Sequence, residues 1–463
     1  MEIDNLLKQS ERIHFIGIGG SGMCPLAEIL ISNGYTVTGS DNNTGDNINK
    51  LKSLGAEIVM GQSVENIEKM HPDMIVYTAA LLPDNPELVA AKASAVPTFE
   101  RAELFGAITR MYDNCICVCG THGKTTSSSM ISQILMESGA DPTLMIGGRL
   151  PLIDAHGRAG NSDIMVAEAC EFKNTYHKLS PDTAVLLNID DDHLEFFKTL
   201  ENLRESFAKF VSMATHAVIY NGDDENTVLA MEKVERRPEV KYISFGLRKE
   251  NDYYAENIKF NRGAFPEFDV FSDGKKIGRV KLNIPGKHNV LNSLGVIAAA
   301  IENGITMKQI EASIHHFGGA GRRFEILGHP GDITVADDYA HHPTELRAIL
   351  NAVMDMDYRE VWAVFQPFTY SRTFMLMDDF AEVLKIPDHC VLTEIMGSRE
   401  RNTYGVYSSQ LSEKIPGSVW FNTFEEVTEY VVEHAKPGDL VITLGCGDIY
   451  KAAKMIIKRI EER

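Results

Sequence analysis

Apolar runs of four to seven residues recur along this chain at Arg12–Ile18, Met74–Thr78, Cys115–Cys119, Ile164–Ala167, Ala184–Ile189, Trp362–Phe365 and Leu440–Leu444. Between them lie segments whose apolar residues return every three or four positions. Short apolar runs alternating with helical periods predict parallel sheets with crossover helices, an α/β fold. Two seams interrupt the alternation, one near Gly106–Asp113 and a glycine-rich stretch at Phe317–Gly321 suited to a hinge. They predict three units at 1–109, 110–320 and 321–463. Within the middle unit, Tyr242–Ile284 has short aromatic and apolar runs and a Ser272-Asp273-Gly274 turn, the texture of a partly antiparallel segment.

The first run leads into Gly17-Ile18-Gly19-Gly20-Ser21-Gly22, followed by a helical stripe of Met23, Leu26, Ala27 and Leu30 that Gly34 closes. A strand at Tyr35–Thr38 then reaches Asp41. Glycines let backbone approach a pyrophosphate, the helix start supplies N–H groups, and the acid about 20 residues on can accept ribose hydroxyls. The pattern predicts a nucleotide diphosphate site and does not select the base. NAD, and hence an oxidoreductase, is the default reading of this loop alone.

A second loop changes that reading. Cys119-Gly120-Thr121-His122-Gly123-Lys124-Thr125-Thr126 ends a strand and opens a helix with the stripe Met130, Ile131, Ile134 and Leu135. Gly-Lys-Thr at a helix start is the phosphate-binding end of a P-loop, here shortened to G-x-x-G-K-T. Lys124 is placed to reach the β- and γ-phosphates, and the Thr125 hydroxyl to ligate Mg²⁺. An oxidoreductase leaves this loop unexplained, whereas chemistry that consumes ATP while holding another nucleotide needs both.

Glu168 ends the run Ile164–Ala167, and Asp190-Asp191-Asp192-His193 follows the run Ala184–Ile189. Strand C-termini in parallel sheets point at the ligand crevice, so Glu168 and His193 are expected to join Thr125 around magnesium. Pro285–Asn292 starts a helix whose amides suit an adenine edge or a cap. Asp337-Asp338-Tyr339-Ala340-His341-His342-Pro343-Thr344 follows a strand at Ile333–Ala336, a concentration of polar groups costly to bury without function.

Composition narrows the partners. The chain has 463 residues, 45 Lys plus Arg against 65 Asp plus Glu, and a formal charge of −20. That balance disfavours nucleic acid and anionic lipid as partners. No apolar run reaches the roughly 18–20 residues of a membrane span, and the acidic start Met1-Glu2-Ile3-Asp4 lacks a signal-peptide core. A cytoplasmic protein is expected. Cys115, Cys117 and Cys119 alternate within an apolar run and are read as core packing rather than a metal site.

Taken together and in order, nine stretches resemble the Mur ligases of peptidoglycan synthesis over nearly the whole chain. They are Gly17–Met23 with Gly39-Ser40-Asp41, Gly120–Thr126, Glu168–Glu171, Asn188–His193, His288–Asn292, Arg322-Arg323-Phe324, Asp337–Thr344, Phe365-Gln366-Pro367 with Thr369–Arg372, and Leu444–Asp448. The resemblance implies three α/β domains: a Rossmann-like N-terminal domain for a UDP-sugar, a central P-loop ATPase-like domain, and a Rossmann-like C-terminal domain for an amino acid. It implies an ATP- and Mg²⁺-dependent ligase that joins L-alanine to the carboxylate of UDP-N-acetylmuramate through an acyl phosphate. By the same resemblance Gly19, Gly20, Ser21, Gly22 and Met23 cradle the UDP pyrophosphate, with Asp41 nearby. Gly120, Thr121, His122, Gly123, Lys124, Thr125 and Thr126 hold the ATP phosphates. Glu168, His193 and Thr125 hold magnesium, and His288, Asn289 and Asn292 meet the adenine. Arg323 reaches phosphate and Asp338 the ribose. His341 and Arg372 face the amino acid, and His193 and His341 are candidates for the base. The chain departs from many relatives at Cys170, Phe172 and Lys173, and at Phe368, where histidine is frequent.

Overall fold

The computed structural model describes residues 2–261, 263–398 and 400–463. Three sheets organise them. The first has the strand order Glu57–Met60, Thr36–Asp41, Arg12–Ile16, Met74–Tyr77, Thr98–Glu100, all parallel. Order reverses beside Arg12–Ile16, so the loop after that strand opens at a topological switch point. Its strands are buried on both faces, with Ile13, Phe15, Ile16, Ile75 and Val76 all at 0% exposure, which is why they read as unbroken apolar runs.

The second sheet places Asn114–Cys119 between Thr183–Leu186 and Ile164–Glu168, parallel to both. Ala217–Asn221 and Lys241–Gly246 extend one side. Thr143–Leu150 extends the other and pairs antiparallel with Ala155–Arg158. Strands Tyr253–Asn261, Phe265–Ser272 and Lys275–Lys281 are successive neighbours beyond Lys241–Gly246. Cys115, Cys117 and Cys119 are fully buried in the core, as the alternation predicts. The third sheet runs Thr334–Asp338, Leu440–Leu444, Val361–Phe365, His389–Thr393, Val419–Phe421 in parallel, with Glu325–Gly328 antiparallel at one edge.

By compactness the chain divides in two. One unit comprises the chain up to Ala255 with Val270–Gly278 and Leu291–Ser313, and holds the first sheet and most of the second; the other holds the third sheet. Within the first unit, helix Arg101–Thr109 packs on the 3₁₀ segment Phe172–Lys178 so closely that a Cβ on Gly106 would lie 2.2 Å from the Lys178 carbonyl oxygen. Pro25, at the start of helix Cys24–Ser32, likewise meets Gly157 of the second sheet. Among the described residues no helix is long and apolar enough to cross a membrane.

A buried polar network lies under the first loop. His14 Nε2 is 2.8 Å from Glu87 Oε1 and His14 Nδ1 is 2.8 Å from Thr38 Oγ1, while the Ser40 hydroxyl donates to Glu87 Oε2 at 2.6 Å. All four side chains belong to residues at 0% exposure. Ser40 in turn gives its carbonyl to the Gly17 and Ile18 N–H groups at 2.8 and 3.1 Å. Glu87 therefore ties helix Pro86–Ala93 to the strand that holds the loop. Removing it strands two buried partners, at roughly 1–3 kcal/mol each. Glu87→Ala is expected to lower the urea stability of the first unit by about 2–6 kcal/mol, while Lys50→Ala, which breaks the partly exposed Lys50–Glu28 pair, costs under about 1 kcal/mol; equal effects in the two denaturation curves contradict this account.

Candidate active site

The shortened P-loop sits at the C-terminal end of strand Asn114–Cys119, and the strands on either side end in its partners. Thr121 N–H donates to the Asn188 carbonyl at 3.0 Å, His122 N–H to Asn188 Oδ1 at 2.8 Å, and Asn188 Nδ2 returns a bond to the His122 carbonyl at 3.0 Å. His122 Nε2 lies 2.9 Å from Asp190 Oδ2, and the Asp190 N–H reaches Thr121 Oγ1 at 2.9 Å. Gly123 adopts φ +83° at the start of helix Lys124–Glu137, against Asn292: a Cβ there would stand 2.5 Å from Asn292 Oδ1. Glycine is required at this position on both counts.

Lys124 Nζ donates to the carbonyls of Gly120 and Thr121 at 2.6 and 2.9 Å and lies 3.0 Å from a Glu171 carboxylate oxygen. Burial works against its charge, but the Glu171 and Glu168 carboxylates outweigh that effect and push its pKa above the usual lysine range. The ammonium stays protonated at neutral pH.

Thr125 and Glu168 meet as expected: the threonine hydroxyl donates to Glu168 Oε1 at 2.9 Å. Ser128 Oγ and the Gly147 N–H donate to Glu168 Oε2 at 3.2 and 2.7 Å. A hydroxyl and a carboxylate at a phosphate loop are hard oxygen donors suited to magnesium. His193 stands on the neighbouring loop in a left-handed conformation, φ +57°, with its ring 4.8 Å from the Phe172 ring and its N–H on Asp192 Oδ1 at 2.8 Å.

In the first loop the geometry is narrower than the motif. The strand ends at Ile16 and the helix starts at Cys24, later than the glycine pattern alone implies. Gly19 N–H donates to Asp41 Oδ2 at 2.8 Å, Gly20 N–H to the Gly17 carbonyl at 3.3 Å, and Met23 N–H to the Gly20 carbonyl at 2.9 Å. Among the described residues, the Ser21 and Gly22 N–H groups have no protein acceptor. Asp41, read from sequence as a ribose contact, is 8% exposed and also accepts the Asn43 N–H at 2.9 Å, so it shapes the loop directly.

The other expected residues fall as follows. His288 opens helix His288–Glu302, and Asn289 Nδ2 donates to the Pro285 carbonyl at 2.7 Å, a local tie at the helix start. In the second unit the two adjacent arginines separate. Arg322 is committed to Asp337 Oδ2 at 2.7 Å and to the carbonyls of Gly447 and Gly445 at 2.9 and 2.6 Å. Arg323 has its guanidinium carbon 5.2 Å from the Tyr339 ring centre and, among the described residues, no side-chain hydrogen bond. Asp338 is the last residue of strand Thr334–Asp338, where it accepts the Phe324 and Ala340 N–H groups at 2.7 and 2.8 Å; burial pushes its pKa up to about 6 against the pull of Arg323.

His341 Nδ1 is 3.0 Å from the Tyr339 carbonyl and 3.2 Å from Glu345 Oε2. Arg372, in helix Tyr370–Met375, donates from Nη1 to the Phe368 carbonyl at 3.2 Å. Asp378, an acid near Arg372 in sequence, pairs instead with Lys414 at 2.8 Å. Sequence reasoning gave no role to Glu171, Ser128, Asn188 or Asp190. Glu171, Asn188 and Asp190 fall inside recognised stretches, whereas nothing in the sequence marks Ser128 as a partner of Glu168.

Three family models cover most of the chain: the Mur ligase family, catalytic domain, at residues 12–113; the Mur ligase middle domain at 118–300; and the Mur ligase, glutamate ligase domain, at 322–447. The UDP-N-acetylmuramate–L-alanine ligase of Acetivibrio thermocellus is 42% identical over 455 residues, covering 97% of this chain and 96% of its own. That of Clostridium botulinum strain Loch Maree is 40% identical over 464 residues, covering 99% and 100%. The crystal structure of the UDP-N-acetylmuramate–alanine ligase of Thermotoga maritima superposes with a TM-score of 0.81 at 28% identity, over 97% of this chain and 99% of that one. With family models over all three sheets and relatives of this identity end to end, the chain belongs to the Mur ligase family.

Proposed function

We propose that the chain is an ATP-dependent ligase that joins L-alanine to the carboxylate of UDP-N-acetylmuramate in peptidoglycan precursor synthesis, acting in the cytoplasm. The observation that carries this is Lys124, paired with Glu171, next to the Thr125–Glu168 contact at the second loop, in the same compact unit as a glycine loop with open N–H groups. Two nucleotide sites in tandem fit a ligase and leave a dehydrogenase with a loop to spare. We assign 1–109 to the UDP-sugar, 110–320 to ATP and 321–463 to the amino acid.

In this reading the substrate carboxylate attacks the γ-phosphorus of ATP and ADP leaves, giving an acyl phosphate. The Gly120–Thr126 loop holds the phosphates, and Lys124 exchanges its carbonyl contacts for the transferring phosphoryl oxygens. Thr125, Glu168 and His193 would hold magnesium, which supplies further charge neutralisation when bound. Asn292, together with His288 and Asn289, is assigned to the adenine. In the second unit Arg323 is the guanidinium available for phosphate, Asp338 is assigned to the ribose, and Arg372 to the carboxylate of L-alanine. The alanine amine then attacks the acyl carbon, phosphate leaves, and the amine proton passes to a base for which His193 and His341 are the candidates.

Three outcomes test the assignments. Lys124→Ala is expected to abolish phosphate release while leaving UDP-N-acetylmuramate affinity within about threefold of the parent, since a removed transition-state contact lowers kcat rather than substrate binding; normal turnover removes the ATP assignment. Glu168→Ala and His193→Ala should each raise the magnesium concentration for half-maximal rate, and titrations that overlay the parent exclude the altered residue as a ligand. Arg372→Ala should raise KM for alanine about ten- to a hundredfold, from roughly 1.5–3 kcal/mol for a hydrogen bond to a charged group, and leave KM for ATP within about threefold. Arg372→Lys should recover part of the loss because an ammonium lacks the planar fork. An alanine KM unchanged in Arg372→Ala takes the residue out of the pocket.

A further inference from the structure

A cleft of about 650 Å³, open mouth included, runs within the first unit between the first glycine loop and Glu168. Ser21, Gly22, Arg101, Gly147 and Glu168 are among the residues that line it. Arg101 is the first residue of helix Arg101–Thr109, whose start is fixed by the Glu103 carboxylate accepting the Glu100 N–H at 3.0 Å. Its guanidinium lies over Gly22: a Cβ there would be 3.2 Å from Nη1 and 3.5 Å from Cζ.

Two features of this arginine call for a ligand. It is half-buried, and burial lowers its pKa from the usual arginine value, yet among the described residues it makes no hydrogen bond and no ion pair. Withdrawing a guanidinium from water without a partner is costly. Arg322, by contrast, spends its guanidinium on a carboxylate and two carbonyls. Second, Arg101 is the one cationic side chain among the residues that line the cleft, and Glu168 the one carboxylate. An anion entering there meets repulsion from Glu168 unless Arg101 balances it. Ser21 and Gly22, whose N–H groups have no protein acceptor among the described residues, line the same cleft.

We propose that Arg101 binds an oxyanion of the nucleotide-sugar substrate, together with the Ser21 and Gly22 N–H groups, and so sets where its reactive carboxylate stands relative to Glu168. The inference rests on the ligase reading above. The oxyanion is either the pyrophosphate or the sugar's lactyl carboxylate, both suited to a planar guanidinium fork.

Calorimetric titration of the parent, Arg101→Met and Arg101→Lys with UDP, UDP-N-acetylglucosamine and UDP-N-acetylmuramate decides the matter. Arg101→Met should bind UDP-N-acetylmuramate about ten- to a hundredfold more weakly, with Arg101→Lys between it and the parent and ATP affinity unchanged. Equal losses for all three ligands identify the pyrophosphate; a loss confined to UDP-N-acetylmuramate identifies the carboxylate. Because an unpaired, desolvated charge does not stabilise the fold, Arg101→Met should melt no lower than the parent in ligand-free buffer. A parent that binds while Arg101→Met binds within threefold, or an Arg101→Met variant that melts far below the parent, overturns the inference alone. A parent that binds none of the three ligands removes the ligase reading and the inference with it.

Discussion

The loop Gly120–Gly123 keeps its path, and sets the direction of Lys124, only because residues distant in sequence hold its backbone. Four residues cannot fix their own path. Thr121 and His122 are bonded to Asn188 and Asp190, at the end of the neighbouring strand. Asn292 closes against Gly123 from the helix that follows the second sheet. Strand order imposes the arrangement: a parallel sheet with Asn114–Cys119 between Thr183–Leu186 and Ile164–Glu168 delivers all three strand ends to one crevice. The Thr125–Glu168 contact and the Glu171 contact to Lys124 follow from the same geometry.

Carboxylates at strand ends recur as organisers of the next loop. Asp41 accepts the N–H groups of Gly19 and Asn43. Asp338 accepts those of Phe324 and Ala340, and Glu168 that of Gly147. An ionised carboxylate has about four lone-pair sites, so one side chain can hold a loop and still face a ligand. Deeper in the first sheet, Glu87 does comparable work through His14 and Ser40, one layer beneath the glycine loop. These bonds place the open N–H groups of Ser21 and Gly22 without any contact to them.

The arginines divide by the same accounting. Arg322 is consumed by the third sheet, where Asp337 and the carbonyls at Gly445 and Gly447 satisfy it. Arg323, one residue on, keeps its donors and stacks on Tyr339. Arg101 keeps its donors in the first unit. A guanidinium has five N–H donors in a fixed fork, so whether they are spent inside the fold separates a structural arginine from one available to a substrate.

The sequence by itself determined the α/β class, most strand positions, both glycine loops and the meeting of Thr125 with Glu168. Each is written locally, in runs buried on both sheet faces, in glycines where side chains cannot fit, and in the rule that parallel strands end at the ligand crevice. It counted Met23 in the helix after the first loop, where the helix starts one residue on, because Gly20–Met23 form a turn whose hydrogen bonds the glycine pattern does not specify. It assigned Asp41 and Asp338 to ligands and missed that both hold backbone. The clamps from Asn188, Asp190 and Asn292, the partners that hold Arg322, and the position of Arg101 over Gly22 were decided only by tertiary structure. A residue's type and neighbours in sequence state what bonds it can make; which of them the fold has already used depends on groups brought near it from tens to more than a hundred residues away.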